Sequence, residues 1–184
     1  MSPLHQLFED GPYLHFSGTI SAKVCLVDRD GTLNVQNDEG YVFDPDKIEL
    51  AQINLPLLAA LSARMPLVVV SNQGGIAKGL CQPDDVWACH QRLAQLLQPH
   101  AIMLAGLIFC PHHPSVAPCE CRKPSPRMLT IALQRYDASN LRSLFVGNSA
   151  SDAQAAEAAH VRYVDVHDAN ALRVVVTETP ATGL

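Results

Sequence analysis

Short apolar runs alternate along the chain with longer stretches in which apolar residues recur at helical spacing. The apolar runs cover residues 23–27, 66–70, 106–109, 143–146 and 161–164, and most of them stop abruptly at polar residues or glycine. Runs of this length are typical of strands buried on both faces of a parallel sheet. The helical stretches cover residues 55–64, 84–98, 126–136 and 151–160. Strands that alternate with helices predict an α/β fold with one doubly wound parallel sheet and helices on both faces.

The same pattern suggests how the chain is divided. Residues 1–22 have weak periodicity and are predicted to be an N-terminal extension, whereas residues 23–184 carry the alternating pattern. A chain of 184 residues is long enough for one domain with a full core and short for two. The spacings from Asp28 to Ser71 and from Ser71 to Lys123 leave no room for a large inserted cap domain. We therefore expect one uncapped domain.

Composition and charge narrow the classes of partner. Hydrophobic residues make up 48% and charged residues 17% of the chain, as in ordinary soluble enzymes. The formal net charge of −5 argues against general binding to nucleic acid or to anionic membranes. No run of about 18 apolar residues occurs, and residues 1–18 lack the basic start and apolar core of a secretory signal. We expect a cytoplasmic monomer that binds neither nucleic acid nor a membrane.

Candidate chemistry lies where the predicted strands end, which is where open α/β sheets bind ligands. Asp28 and Asp30 follow the first strand, and two carboxylates two positions apart on an extended chain face the same way. Two such charges beside a phosphoryl group require a divalent cation, and oxygen ligands favour Mg²⁺. We predict that Asp28 is a nucleophile forming an acyl phosphate and that Asp30 is the general acid and base. A plain turn after a strand is the alternative.

Two further segments suit phosphate binding. Ser71, Asn72 and Gln73 follow the second strand and offer a hydroxyl and two amides, which bind phosphate oxygens without added charge. Arg122 and Lys123 follow the third strand and offer the cations that offset the charge spreading over a phosphoryl group in transit. A polar glycine loop and a solvated charged loop are the respective alternatives.

Three of the six cysteines cluster beside two histidines. Cys110, His112, Cys119 and Cys121 have the residue types and short spacings that close a tetrahedron around Zn²⁺, and His113 could replace His112. With four protein ligands no position is open to water, so we predict a structural zinc ion that stabilises the loop before Arg122. A group of reduced cysteines is the alternative.

These motifs resemble those of a known family. The DRDGT run at residues 28–32 resembles the signature of the haloacid dehalogenase (HAD) superfamily, in which the first Asp is the nucleophile and the second the general acid and base. Residues 40–42 (GYV) and 68–79 (VVVSNQGGIAKG) resemble its histidinol-phosphate and heptose-bisphosphate phosphatase branch. The resemblance implies a Rossmann-like HAD fold, phosphoryl stabilisation by Ser71 and Lys123, and substrate binding by a further set of residues: Arg29, Asp38, Tyr41, Asn72, Gln73, Arg122 and Ser149.

One motif departs from the family pattern. The fourth strand is followed by Gly147, Asn148 and Ser149, where relatives usually carry Gly-Asp-Lys or Gly-Asp-Arg. The implied magnesium ligands are therefore Asp28, Asp30 and Asn148, with Asp152 as a further carboxylate. An amide oxygen ligates Mg²⁺ without contributing charge, so we expect weaker magnesium binding than in those relatives.

The resemblance implies a magnesium-dependent phosphatase that acts on a small phosphorylated sugar. Within the family the best match is the group of D-glycero-D-manno-heptose 1,7-bisphosphate 7-phosphatases. The short cysteine loop leaves histidinol-phosphate phosphatase open as an alternative. Asn148 and Ser149 leave open a catalytically weakened member that serves as a binding or scaffold protein.

Overall fold

A single seven-stranded sheet organises the computed structural model, which describes residues 3–6, 11–36, 40–168 and 170. The strands are β1 (His5–Gln6), β2 (Tyr13–Phe16), β3 (Cys25–Val27), β4 (Leu67–Asn72), β5 (Leu104–Cys110), β6 (Leu144–Gly147) and β7 (Arg162–Asp165). Their order across the sheet is β1-β2-β5-β4-β3-β6-β7. Strands β3 to β7 pair in parallel, whereas β1 and β2 are antiparallel additions beside β5. The predicted parallel sheet is confirmed.

In the described part of the chain, four helices cover the two faces of the sheet. They are α1 (Leu55–Ser62), α2 (Pro83–Leu97), α3 (Arg127–Tyr136) and α4 (Ala150–Ala158). Short 3-10 turns lie at Pro45–Lys47, Gln52–Asn54, Gln98–His100 and Asn140–Arg142. The apolar residues of α1 and α2 pack on one face, and those of α3 and α4 pack on the other. The doubly wound arrangement predicted from the sequence is therefore correct.

The start of α2 shows why the sequence places a helix there. Pro83 occupies the first turn, where its missing N–H would have no partner in any case. The Gln82 side chain accepts from the backbone of Asp85, and the Asp85 carboxylate accepts from the Gln82 N–H at 2.7 Å. This reciprocal capping satisfies donors that the helix leaves free, and the acidic side chains complement the positive end of the helix dipole.

The core is divided by the alternation of side chains along the central strands. Cys25 and Val27 of β3 join the cluster beneath α1 and α2, whereas Leu26 joins the cluster beneath α3 and α4. Each of these side chains is fully buried. Burial of an aliphatic side chain contributes roughly 1.5–3 kcal/mol, so both faces hold the central strands in place.

The N-terminal segment joins the same sheet. Tyr13 pairs in register with Phe109 of β5, and the two rings stack with centroids 5.4 Å apart. The Tyr136 hydroxyl of α3 lies 2.7 Å from the Ser17 carbonyl oxygen and hydrogen-bonds to it. Part of the expected extension is thus an edge of the sheet, and the domain boundary at residue 22 stays a prediction.

The carboxyl ends of β3, β4, β5 and β6 meet at one edge of the sheet because these strands are parallel. In the described ranges, the connections between them hold single helices, turns and one cysteine-rich loop, without room for a cap domain. None of the helices in the described chain is long and apolar enough to cross a bilayer. The edge where the strands end is therefore open.

Candidate active site

A cleft of about 290 Å³ opens at the carboxyl ends of the parallel strands. Most of the residues predicted for the site line it: Asp28, Asp30, Tyr41, Ser71, Asn72, Arg122, Lys123, Asn148, Ser149 and Asp152. Gln36, Gly40 and Ser151 also line it and were not predicted as site residues, although Gly40 lies in the motif at residues 40–42. Asp38 lies outside the described residues. The fold thus gathers four separated motifs at one place.

Asp28 stands immediately after β3 and faces the cleft. Its backbone N–H continues the sheet by donating to the Val146 carbonyl at 2.9 Å, which fixes the start of the loop. Its Oδ1 accepts from the Lys123 ammonium group at 2.7 Å, and its side chain is 12% exposed. Burial raises the pKa of Asp28 to about 6, against the lowering effect of Lys123 and with a further rise from Asp152. The Lys123 ammonium group therefore favours the ionised form of Asp28, against the larger effect of burial.

Lys123 is buried and surrounded by acceptors. Its Nζ lies 2.7 Å from Asp28 Oδ1, 2.7 Å from Asp152 Oδ1 and 2.8 Å from the Val70 carbonyl oxygen. Burial alone lowers the pKa of Lys123, but the two carboxylates outweigh that effect and the pKa lies above its usual value. Lys123 is thus a fixed positive charge inside the cleft.

The backbone of Lys123 is held by a neighbouring strand. Asn72 at the end of β4 donates from Nδ2 to the Lys123 carbonyl at 3.1 Å and accepts from the Lys123 N–H at 3.0 Å. Ser71, one residue earlier, is 1% exposed and lines the same cleft. Both polar atoms of the Asn72 amide thus bind the Lys123 backbone, a positioning role that the sequence did not reveal. The contact of Asn72 with substrate stays a prediction.

Asp30 is held by two side chains of its own loop and by one that follows β4. Arg29 donates from Nε and Nη2 to Asp30, Asn34 donates from Nδ2 at 3.0 Å, and Gln73 donates from Nε2 at 2.9 Å. Gln73 also donates to the Ser71 hydroxyl oxygen at 2.8 Å. These bonds aim the second carboxylate into the cleft that it shares with Asp28.

Arg29 and Gln73 lie elsewhere than the sequence suggested. Both were predicted to contact substrate, but Arg29 is fully buried and Gln73 is 2% exposed, and neither lines the cleft. Arg29 also donates from Nη2 to the Val42 carbonyl oxygen at 2.6 Å. This geometry corrects the expectation, because both side chains bind Asp30 from behind rather than facing the opening.

Gly31 brings Asn148 close to the paired acids. Its φ of +86° is a conformation that side chains with a Cβ rarely adopt, and an added Cβ would lie 2.1 Å from Asn148 Nδ2. A glycine is therefore needed on both grounds. The contact brings the Asn148 amide against the loop that carries Asp28 and Asp30, and its role as a magnesium ligand stays a prediction.

The Asp152 carboxylate accepts hydrogen bonds from Ser149 at the start of α4. The Ser149 N–H and hydroxyl donate to Asp152 Oδ2 at 3.1 and 2.7 Å, while the Asp152 N–H donates back to the Ser149 hydroxyl oxygen. Asp152 Oδ1 pairs with Lys123, and the residue is 1% exposed. Both oxygens thus have partners within the protein. The sequence did not predict the ion pair of Asp152 with Lys123, because these two residues lie in different loops.

A second cluster lies in the loop after β5. The ligand atoms of Cys110, His112, Cys119 and Cys121 all lie within 4.8 Å of one another, and they could hold a metal ion. His112 turns Nδ1 inward, at 3.3 Å from Cys121 Sγ, whereas His113 Nδ1 lies 2.7 Å from the Ser115 hydroxyl. His112, rather than His113, is therefore the histidine of the cluster.

The donor types of this cluster suit a metal ion, which would have to displace the thiol protons on binding. The hydrogen bond with Cys121, followed by burial, raises the pKa of Cys110 above its ordinary value. Gathered thiols resist ionisation in this way unless a positive charge lies among them, and thiolates with one imidazole are the ligand set that Zn²⁺ prefers. The donor chemistry therefore fits the predicted ion.

Comparison with known proteins gives the family. The HAD-hydrolase-like family model matches residues 120–175. The D-glycero-β-D-manno-heptose-1,7-bisphosphate 7-phosphatase of Yersinia pestis is 37% identical over 150 residues, which cover 78% of this chain and 79% of that protein. The enzyme of the same name from Pseudomonas aeruginosa is 31% identical over 162 residues, covering 88% and 90%.

Solved structures agree with the sequence relatives. A protein from Mesorhizobium loti named for its likeness to HAD phosphatases superposes with a TM-score of 0.82 at 28% identity, covering 97% of this chain and 100% of that one. The D,D-heptose 1,7-bisphosphate phosphatase of B. bronchiseptica, solved with magnesium and phosphate, has a TM-score of 0.72 at 31% identity, covering 86% and 88%. This chain belongs to the HAD-superfamily phosphatases, which are phosphoric monoester hydrolases, in the branch that contains the heptose-bisphosphate phosphatases.

Proposed function

We propose that this protein is a magnesium-dependent D-glycero-D-manno-heptose 1,7-bisphosphate 7-phosphatase that works through an aspartyl-phosphate intermediate. The observation that carries the mechanism is the presence of Asp28, Asp30, Ser71 and Lys123 around one cleft at the carboxyl ends of the strands. The sugar substrate is supported by relatives of that name, which match about four fifths or more of this chain's length.

In the first step the Asp28 carboxylate attacks the phosphorus atom and the bond from phosphorus to the sugar oxygen breaks. Asp30 donates a proton to that leaving oxygen, a role supported by its place in the same cleft. Lys123 and the Ser71 hydroxyl bind non-bridging phosphoryl oxygens, where negative charge must be offset.

In the second step water attacks the phosphorus atom of the aspartyl phosphate. Asp30, now ionised, accepts a proton from that water, and the Asp28 carboxylate departs as inorganic phosphate forms. Arg29, Asn34 and Gln73 hold Asp30 in place, which supports one carboxyl serving both steps. Asn72 and Asp152 hold Lys123 in the same way.

Asp28, Asp30 and Asn148 would hold Mg²⁺, which supplies positive charge against the phosphate dianion. Their donors are oxygen atoms, the type that Mg²⁺ prefers. Within the described site the acids Asp28, Asp30 and Asp152 are matched by the cations Arg29, Arg122 and Lys123, so a phosphate dianion would enter without a cation to offset its charge. That added charge supports a bound Mg²⁺. Asp152 is better suited to holding Lys123 than to direct ligation.

Zn²⁺ is the proposed occupant of the cysteine cluster, with a structural role. Arg122 donates from Nη1 to the His112 carbonyl oxygen at 3.0 Å. The same loop accepts from the Gln73 N–H through the Cys110 carbonyl at 2.8 Å. These bonds support the proposal that zinc fixes the loop from which Arg122 and Lys123 reach the cleft.

We also propose that the enzyme acts as a cytoplasmic monomer. All six cysteines are unpaired, as expected in a reducing compartment.

The test is phosphate release with Mg²⁺ from heptose 1,7-bisphosphate, histidinol phosphate and hexose phosphates, with the sugar product identified by ³¹P NMR. We expect the heptose bisphosphate to have the largest kcat/KM and to yield heptose 1-phosphate. A preference for histidinol phosphate would replace the substrate and keep the mechanism.

A binding or scaffold protein is the second candidate, and Asn148 is the observation that favours it. An amide in place of a carboxylate weakens magnesium binding. Absence of turnover on every phosphate ester at high Mg²⁺, with substrate still bound in calorimetry, would establish this alternative and defeat the phosphatase proposal.

A further inference from the structure

The Arg29 guanidinium lies behind the cleft and binds two segments that line it. Its Nε donates to Asp30 Oδ1 at 3.1 Å, and its Nη2 donates to the same oxygen at 3.0 Å. Nη2 also donates to the Val42 carbonyl oxygen at 2.6 Å. Asp30 lines the cleft, and so do the two residues before Val42, which are Gly40 and Tyr41. One side chain therefore joins the proposed general acid to the segment of residues 40–42.

The geometry of the first parallel strand explains why an arginine reaches this place. Arg29 follows Val27 by two positions, so its side chain points toward α1 and α2, beneath which Val27 packs. Its charge reaches His90 of α2, where, after burial, it lowers the pKa. Arg29 is fully buried, and its Nη1 has no hydrogen-bond partner among the described residues. A buried guanidinium is costly without acceptors, so the bonds to Asp30 and Val42 are the ones that hold it there.

Val42 anchors residues 40–42 in the core. Its side chain is 4% exposed and belongs to the cluster beneath α1 and α2. Tyr41 lines the cleft next to Gly75, where an added Cβ would lie 3.5 Å from Tyr41 Cδ1. A ligand that contacts Tyr41 thus acts one residue away from the carbonyl that Arg29 binds. Movement of that carbonyl would shift the guanidinium and, with it, the Asp30 carboxylate.

Gln73 provides a comparison within the same site. Its Nε2 donates to Asp30 Oδ2 at 2.9 Å and to the Ser71 hydroxyl oxygen at 2.8 Å. Gln73 therefore holds the same carboxylate as Arg29, but its second bond goes to β4, which contains Ser71. The two side chains differ in the segment to which they tie the general acid.

We infer that Arg29 is a positioning residue that couples residues 40–42 to Asp30. A substrate that contacts Tyr41 sets the place of the general acid through the Val42 carbonyl and the guanidinium. The inference rests on the proposed function and deepens it, because binding of the sugar then acts on the chemical step. Loss of the coupling should therefore lower kcat more than it changes KM.

The first test removes the bridging group. Arg29→Lys keeps the charge and loses the planar group that reaches Asp30 and Val42 together. With heptose 1,7-bisphosphate and Mg²⁺ we expect kcat to fall about 10- to 100-fold, because the general acid is misplaced. In the Asp30→Asn background the same change should alter kcat by less than about twofold, because no acid is left to position. An undiminished loss in that background would overturn the positioning role.

A double-mutant cycle with Tyr41→Leu measures the coupling itself. The combined loss of kcat in Arg29→Lys with Tyr41→Leu should be about fivefold smaller than the product of the two single losses. Gln73→Met is the matched control, since its bonds go to Asp30 and Ser71. The loss in this control should multiply with that of Tyr41→Leu.

Melting temperature and zinc content show whether each variant is folded. Val42→Ala replaces Arg29→Lys if the latter does not fold, because it loosens the same bond from its other end. Its loss of kcat should likewise disappear in Asp30→Asn, and an undiminished loss there would count against the coupling. An unchanged kcat in Tyr41→Leu, or losses that multiply in both cycles, would overturn the coupling and leave the phosphatase proposal standing. A wild type that hydrolyses no phosphate ester would overturn both.

Discussion

The two candidate metal sites of this chain are built in opposite ways. The cysteine cluster takes its four ligands from one loop, residues 110–121, and gathers them within 4.8 Å. The carboxylate site takes its residues from the ends of different strands, and Asp28 and Asp30 are each paired with a cation of the protein. The proposed zinc ion would order the first site, whereas the second is held by the sheet and by internal ion pairs. Loss of zinc should therefore cost structure, and loss of magnesium should cost activity alone.

The largest effect is expected from Asp28→Asn. The amide keeps the shape of the side chain but cannot act as the nucleophile, so kcat should fall by about 10⁴-fold or more. Zinc content by elemental analysis and the melting temperature should stay near those of the wild type, because the sheet holds this site. Asp46→Asn, an exposed acid in a surface turn, is the control. Retention of more than a few per cent of the activity would contradict the assigned nucleophile.

The second prediction concerns the cysteine cluster, which Cys121→Ser should disrupt. Cys121 is buried among the ligands, and its loss should release zinc, lower the free energy of unfolding by roughly 3 kcal/mol and reduce kcat/KM at least tenfold through Arg122 and Lys123. Elemental analysis, urea unfolding and kinetics measure the three effects. Cys81→Ser, at a buried cysteine outside the cluster, should keep the metal. Full zinc retention in the Cys121 variant would exclude this ligand set.

Acid pH should destabilise the fold through the buried imidazole of His90 in α2, outside both candidate metal sites. Burial, then the charges of Arg29 and His15, lower the pKa of His90 to about 4. The unfolded chain takes up this proton near pH 6.5 and the folded chain near 4, so acid favours unfolding between these values. His90 should account for a loss of about 2 kcal/mol between pH 7 and pH 5.

The measurement is urea unfolding as a function of pH. His90→Gln should lack this part of the loss, whereas His100→Gln, at an exposed histidine, should follow the wild type. An identical pH slope in His90→Gln and the wild type would show that His90 titrates normally in the folded protein.

The smallest effect is expected from Asn148→Asp, which restores a carboxylate beside Gly31. The added charge should lower the Mg²⁺ concentration for half-maximal activity by about tenfold and leave zinc content unchanged. Asn140→Asp, in a 3-10 turn before β6, makes the same change of net charge at the other edge of the sheet. Equal magnesium dependence in all three proteins would remove Asn148 from the ligand set.

Sequence patterns were sufficient for the parallel sheet because its strands are buried on both faces. Apolar runs such as the one ending at Val70 identified the parallel strands. The observed helices differ from the predicted ones by two residues or fewer at each end. The edge strand β2 was missed because its residues are half-buried and show no clean alternation. The β2 strand forms by pairing with β5. Because these segments are far apart in the chain, the local sequence does not indicate that they pair.

The candidate site was predictable as a set of residues but not as a set of contacts. The motifs identify Asp28, Asp30 and Lys123, whereas the sequence does not tell which polar side chains face the cleft and which brace them from behind. Arg29 and Gln73 bind Asp30 instead of facing the opening, and Asp152 pairs with Lys123. Such partners come from different loops, and their orientation depends on how the sheet brings the loops together.

The full set of hydrogen-bond acceptors around Lys123 affects how a phosphate group can bind in the cleft. An ammonium group has three protons, and three acceptors already lie within 2.8 Å of Nζ. An incoming phosphate oxygen must displace or share one of them. Val70 belongs to a strand and Asp152 is tied to the start of α4, so Asp28 is the acceptor with freedom to move. Arrival of the phosphate would thus free the attacking carboxylate from its lysine at the moment when a phosphorus atom is within reach.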